Sequence, residues 1–165
     1  MKNGIKEVFS LIVAGLLFAS FPAVAALEYD ALKGVKSARA VFDVRLGNPQ
    51  SAAIHLKLMH QTYNDLAAGK RKPAFKIVFL GPAVKLISSD RTGYATPEDN
   101  KALDEIAAEV SAMSKDGIHM EICLVAAKIF KVDPATVLPE IKPVENGWIS
   151  LIGYQAREYS LVTAY

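Results

Sequence analysis

Gly117-Ile-His-Met-Glu-Ile-Cys-Leu-Val-Ala-Ala-Lys-Ile-Phe130 is the stretch on which the fold turns. Ile118 to Cys123 reads as a strand in which His119, Glu121 and Cys123 share one face and Ile118, Met120 and Ile122 the other. Neighbours on one face lie about 6.6 Å apart. Leu124 to Phe130 reads as a helix that begins where the strand ends. The single cysteine, Cys123, therefore stands at a strand-to-helix junction.

Toward the C-terminus, Asp133-Pro134 starts a helical turn, Lys142 to Val144 is extended, Gly147 to Ala156 is helical and Tyr159 to Thr163 is a last strand. Toward the N-terminus, Gly117 closes a helix opened by Thr96-Pro97-Glu98-Asp99, where a capping hydroxyl, a first-turn proline and two acids all favour the positive helix end. Leu103, Ile106, Ala107, Val110 and Met113 form its apolar stripe. Ser88 to Thr96 reads as a surface loop and Ala83 to Ile87 as a short helical turn. Phe75 to Leu80 is a strand between Pro73 and Gly81-Pro82. Asn48-Pro49 caps a helix running to Ala68, with Ile54, Leu58, Met59, Thr62, Tyr63 and Leu66 at helical spacing and Gly69 as its stop. Ala38 to Val44 is the first strand, and Leu27 to Ser37 leads into it. Strands alternating with helices predict an α/β domain with a mostly parallel sheet of about five strands.

Length and composition agree with one such domain: 165 residues, 52% hydrophobic and 22% charged. A net charge of +2, with no basic cluster, gives no footprint for nucleic acid. Residues 1–25 read as a cleaved signal peptide: Lys2 and Lys6, an apolar run from Val8 to Phe21, Pro22, then Ala23-Val24-Ala25 as a small-x-small cleavage site. A retained anchor is the competing reading, which Gly15, Ser20 and Pro22 disfavour. Cleavage removes Lys2, Lys6 and Glu7, so the net charge falls from +2 to +1 on a mature domain of residues 26–165. The expected location is the periplasm, with no stable membrane insertion after cleavage.

Dinucleotide, P-loop and serine-hydrolase fingerprints are absent. His55 and His60 stand about 140° apart around a helix and His119 is distant, so no metal ligand set is expected. No cofactor is expected either. The constellation with chemistry is His119, Glu121 and Cys123. Ligands bind at the carboxyl ends of parallel strands, and a helix N-terminus lowers a thiol pKa, so Cys123 is the candidate catalytic residue. Leu124 and Val125 would offer backbone N–H groups to its anion, and His119 or Glu121 would tune it, although a carboxylate opposes thiolate formation. An inert, buried core thiol fits the same spacing.

Gly117 to Pro134, together with Val144-Glu145-Asn146-Gly147-Trp148-Ile149, Gly153-Tyr154-Gln155-Ala156 and the Phe75 to Leu80 strand with Gly81, resembles the DsrE/DsrF-like family of small sulfur-relay proteins. The resemblance implies a flavodoxin-like three-layer α/β sandwich, usually a homo-oligomer. It also implies that the cysteine at the end of a central strand, here Cys123, carries sulfane sulfur as a persulfide between a donor and an acceptor, each a protein or a small thiol. Trp148 and Tyr154 are similar to family positions and read first as packing residues. The competing expectation is a non-enzymatic oligomeric module that binds a small ligand or partner, with a structural Cys123. A third is redox sensing through an intersubunit disulfide.

Overall fold

The computed structural model describes residues 29–94 and 96–165. The expected signal peptide and cleavage site, read over residues 1–25, lie outside the described residues. Among the described residues, five strands alternate with four α-helices: β1 (Ser37–Val44), α1 (Pro49–Ala68), β2 (Lys72–Phe79), α2 (Pro97–Lys115), β3 (His119–Cys123), α3 (Leu124–Ile129), β4 (Ile141–Val144), α4 (Gly147–Ala156) and β5 (Ser160–Ala164). The strand order is β4-β3-β2-β1-β5, and every neighbouring pair is parallel. The expected mostly parallel sheet is thus all-parallel, and the carboxyl ends of its strands share one edge.

The layers follow from the crossovers. The chain steps from β1 to β4 in one direction, then returns through α4 to place β5 beside β1, so α4 covers the opposite face from α1 and α2. Phe42, Phe75 and Tyr63 of α1 meet edge to face on the first side, while Tyr154 of α4 reaches Glu121 on the second. Val41, Ile77, Val78, Phe79, Met120 and Ile122 fill the sheet interior, and each fully buried aliphatic side chain contributes about 1.5–3 kcal/mol.

Local chemistry sets the helix starts. Asn48 Oδ1 accepts from the Ser51 N–H at 2.8 Å, and Thr96 Oγ1 from the Asp99 N–H at 3.0 Å, with Pro49 and Pro97 next in line. The buried stripe of α2 includes Leu103, Ile106, Val110 and Met113. That of α1 differs from the expected one. Ala52, Ala53, Leu56 and Met59 face inward, whereas Ile54 and Leu58 are exposed, because the paired alanines let α1 approach its neighbours closely.

Two other boundaries shift. β2 starts at Lys72 and includes Pro73, which the sequence places outside the strand. The Lys72 N–H donates to the Lys36 carbonyl on the β1 side, so the Pro73 nitrogen points the other way, where β3 has not begun. In the loop after β2, Ser88 is buried rather than on the surface: it forms an isolated antiparallel bridge with Val137, and its hydroxyl meets Thr136 Oγ1 at 2.6 Å. No helix among the described residues is long and apolar enough to cross a membrane.

Candidate functional site

β3 ends in Cys123, which is 4% exposed and caps α3 with its own side chain. Its Sγ accepts from the Ala126 N–H at 3.5 Å. An N-cap side chain addresses the second or third helical N–H, so this is the geometry a cysteine adopts when strand passes directly into helix. Of the two amides expected to serve the sulfur, Val125 N–H donates instead to the Glu145 carbonyl at 3.2 Å. Leu124 is the first helical residue, and Ala126, which the sequence reading missed, is the amide that meets Sγ; the capping rule applied to Cys123 would have found it.

Above the cysteine lies the first turn of α4. Asn146 caps that helix through the Trp148 N–H at 3.0 Å, and Gly147 rests on the strand ends. A Cβ at position 147 would stand 3.0 Å from Cys123 Cβ, 3.0 Å from Val78 Cγ1 and 3.2 Å from Leu80 Cδ2. Only glycine permits this approach.

On the same sheet face, one step before Cys123, the Glu121 carboxylate is 6% exposed. Its Oε1 accepts from Tyr154 Oη at 2.6 Å and pairs with His119 Nε2 at 3.0 Å. Burial pushes the Glu121 carboxyl up, but Ser150, Tyr154 and His119 together outweigh it and hold the group below its ordinary value. The Ser150 side chain stands beside the carboxylate, yet Oε2 is buried without a hydrogen-bond partner. Burial and the adjoining carboxylate push the Tyr154 phenol far up, so it stays protonated and donating. His119 and Glu121 therefore share a face with Cys123, as expected, but they hydrogen-bond to each other and to α4 rather than to the sulfur.

Register brings in a pair the sequence reading did not single out. Val44 lies beside Phe79 and Phe79 beside Ile122, so Arg45, Leu80 and Cys123 form the next row at the carboxyl edge. Arg45 Nε donates to Asp43 Oδ1 at 2.9 Å and Oδ2 at 3.1 Å, and Asp43 is 4% exposed. The Asp43 hydrogen bond, against the opposing effect of burial, raises the guanidinium pKa, and Cys123 lies within its electrostatic reach. These residues are far from Cys123 in sequence, so only strand order could have joined them. His55 Nδ1 meets the Ser51 carbonyl at 2.8 Å, and His60 lies between Glu109 and Asp116 on the far side of the sheet. Among the described residues no three or more His, Cys, Asp or Glu side chains converge in a way that could hold a metal.

Comparison with known proteins bears on this geometry. The model of the DsrE/DsrF-like family matches residues 39–164. An uncharacterized protein of Aquifex aeolicus (strain VF5) is 23% identical over 125 residues, 75% of this chain and 55% of its own length, so the chain spans about half of that relative. Among solved structures, the protein of unknown function MTH1491 from Methanobacterium thermoautotrophicum superposes with a TM-score of 0.61 at 14% identity, covering 77% of this chain and 99% of that one. The conserved protein of unknown function BT1422 from Bacteroides thetaiotaomicron gives 0.55 at 18%, covering 78% and 95%, and the ychN protein from E. coli 0.53 at 8%, covering 77% and 99%. At these identities the structural likenesses establish the fold.

Proposed function

Because the chain belongs to the DsrE/DsrF-like family, we propose that it is a sulfur carrier acting through Cys123. The observation that carries this reading is the placement of its only cysteine at the carboxyl end of a central parallel strand, with Sγ on the first-turn Ala126 N–H. In the forward step the Cys123 thiolate attacks the sulfane sulfur of a donor. A new S–S bond forms at Sγ, the donor's own bond to that sulfur breaks, and its leaving group departs with the electron pair. An acceptor thiolate then attacks the outer sulfur and Cys123 is released as thiolate. The Ala126 N–H stabilises negative charge on Sγ, and Arg45, fixed by Asp43, supplies positive potential at the same edge.

The N-terminal signal makes this a periplasmic carrier, and the donor and acceptor are proteins or small thiols of that compartment. The carrier works as a homo-oligomer: α4 has no charged residue, and its Trp148, Ile149 and Ile152 are 59%, 68% and 66% exposed, an apolar surface for a neighbouring subunit.

Intact mass of the reduced protein after incubation with a sulfane-sulfur donor tests the chemistry. Wild type should gain one or more sulfur atoms and Cys123→Ser none, with its fold intact; loading of the serine variant would overturn the proposal. The second reading, a binding module with a structural thiol, is favoured by the 4% exposure of Cys123 and by Gly147 seated against it. A thiol that resists both alkylation and sulfur loading until the protein is denatured would establish that module.

A further inference from the structure

At the amino ends of the strands, opposite the edge that holds Cys123, the fold assembles a basic surface from separate parts of the chain. Along the sequence only the short run Lys70-Arg71-Lys72 stands out, carrying the chain from α1 into β2. Lys33 and Lys36, in the segment that leads into β1, lie beside it in space. The Lys72 N–H donates to the Lys36 carbonyl at 3.0 Å, Ser37 Oγ to the Lys72 carbonyl at 3.1 Å, and Arg71 Nη2 to the Leu32 carbonyl at 3.2 Å. All four lysines are exposed, and Arg71 is partly so.

The cations outnumber the acids around them. Asp30 pairs with Lys33 at 2.6 Å, and Asp65, in the last turn of α1, is the other nearby acid. Further along the edge Glu158 pairs with Arg39 and Asp116 with His60. Lys36, Lys70, Arg71 and Lys72 form no ion pair among the described residues. The whole chain has a net charge of only +2, so this edge concentrates an excess that the total conceals. At its rim Tyr29, 62% exposed, opens the short helical turn Asp30–Leu32 that Arg71 holds.

A basic cluster beside an exposed aromatic ring matches an anionic bilayer surface, where cations meet lipid phosphates and the ring sits at headgroup level. The chain also reaches this edge from an apolar run, Val8 to Phe21. Phe21 precedes Tyr29 by eight positions, at most about 28 Å of extended chain. With that run in a bilayer, the amino edge is the part of the domain tethered nearest the lipid, which favours lipid over nucleic acid as the polyanion. We propose that the amino edge docks the domain on an anionic phospholipid surface, as a peripheral contact of its five cations with lipid phosphates and of Tyr29 with the headgroup layer. All strands are parallel and β1 and β2 are eight residues long, so about 25 Å separates this edge from that of Cys123. The docked domain therefore turns its thiol edge away from the lipid. No atom of Cys123 takes part, so docking and sulfur carriage stand or fall separately.

Co-sedimentation with vesicles tests docking on the chain lacking residues 1–25, which keeps every described element and excludes binding through the apolar run. Vesicles of equal parts phosphatidylglycerol and phosphatidylcholine should bind it, and phosphatidylcholine alone about ten-fold more weakly or worse. Binding should weaken about ten-fold or more between about 0.01 M and 0.15 M salt, as the Debye length falls from about 30 Å to about 8 Å. Lys36→Gln, Lys70→Gln and Lys72→Gln together, all at exposed positions, should weaken it about a hundred-fold, since each cation near such a surface is worth about five-fold. Lys128→Gln, Lys131→Gln and Lys142→Gln together remove the same charge from outside the patch and should stay within about two-fold of wild type. Equal weakening in that second variant, equal binding to both kinds of vesicle, or insensitivity to salt would overturn the proposal. So would a single-stranded oligonucleotide bound as tightly as the anionic vesicles, or displacement by inorganic phosphate beyond that by chloride at equal ionic strength, which would make the edge a general polyanion surface or a discrete phosphate site.

Discussion

Removing water from a carboxylate costs several kcal/mol, and Glu121 recovers that cost through Tyr154 on α4 and His119 on its own strand. Tyr154 contributes the shorter of its two contacts, 2.6 Å against 3.0 Å from His119. Tyr154→Phe removes that donor and leaves the ring in place, so it should destabilise the fold by about 1.5–3 kcal/mol at neutral pH in urea unfolding. The loss should shrink in a Glu121→Gln background, where no charge needs the donor. The folded-state pKa of Glu121 is depressed, so its contribution is present above the unfolded value and lost as pH falls through the folded one. The alternation that puts Glu121 on the face of Cys123 is legible in six residues of sequence. Its partner Tyr154 lies 33 residues away on α4, and no periodicity connects the two.

Helix α1 is fastened to α2 by His60, whose Nδ1 meets Glu109 Oε1 at 2.5 Å and whose Nε2 meets Asp116 Oδ2 at 2.6 Å. Burial pushes the His60 pKa down, but Asp116 and Glu109 outweigh it and leave the folded value above the ordinary one. A raised folded pKa stabilises fully below the unfolded value, about 6.5, and the benefit disappears as pH rises through the folded value. The melting temperature should therefore fall as pH rises from about 6.5 through the folded value, and His60→Gln should lower it on the acid side and so flatten that slope. Which elements exist was legible because apolar β-branched runs alternate with capped helical stripes: the bounds of α1 and α4 read from sequence match those observed. What the sequence concealed depended on neighbours. Pro73 joins β2 because β3 starts later, Ser88 is buried by its bridge to Val137, and the inward side of α1 is chosen by two alanines that hydrophobicity alone does not favour over Ile54 and Leu58.

For the whole molecule, the two faces of the sheet are unequally covered. Two long helices lie on one side and a single ten-residue helix on the other. A helix without charge on any side is ordinarily buried all round, and α4 is not. Ile149→Glu, at a position 68% exposed, should leave the monomer folded by circular dichroism and, by dissociating the homo-oligomer proposed above, lower the sedimentation coefficient. An unchanged coefficient would place the subunit contact elsewhere. The sheet edges also differ: β4 carries Lys142 and Pro143, which discourage further pairing, whereas β5 runs Ser-Leu-Val-Thr-Ala with no charge.

Mechanically, α4 is a beam on two supports. One is Gly147, seated against the β-carbon of Cys123, and the other is the Tyr154 hydroxyl, bolted to Glu121. Trp148, Ile149 and Ile152 form its loaded side. Because a glycine leaves no side chain at the first support, a force applied to the outer face passes directly to Val78, Leu80 and the β-carbon of Cys123 at the strand ends.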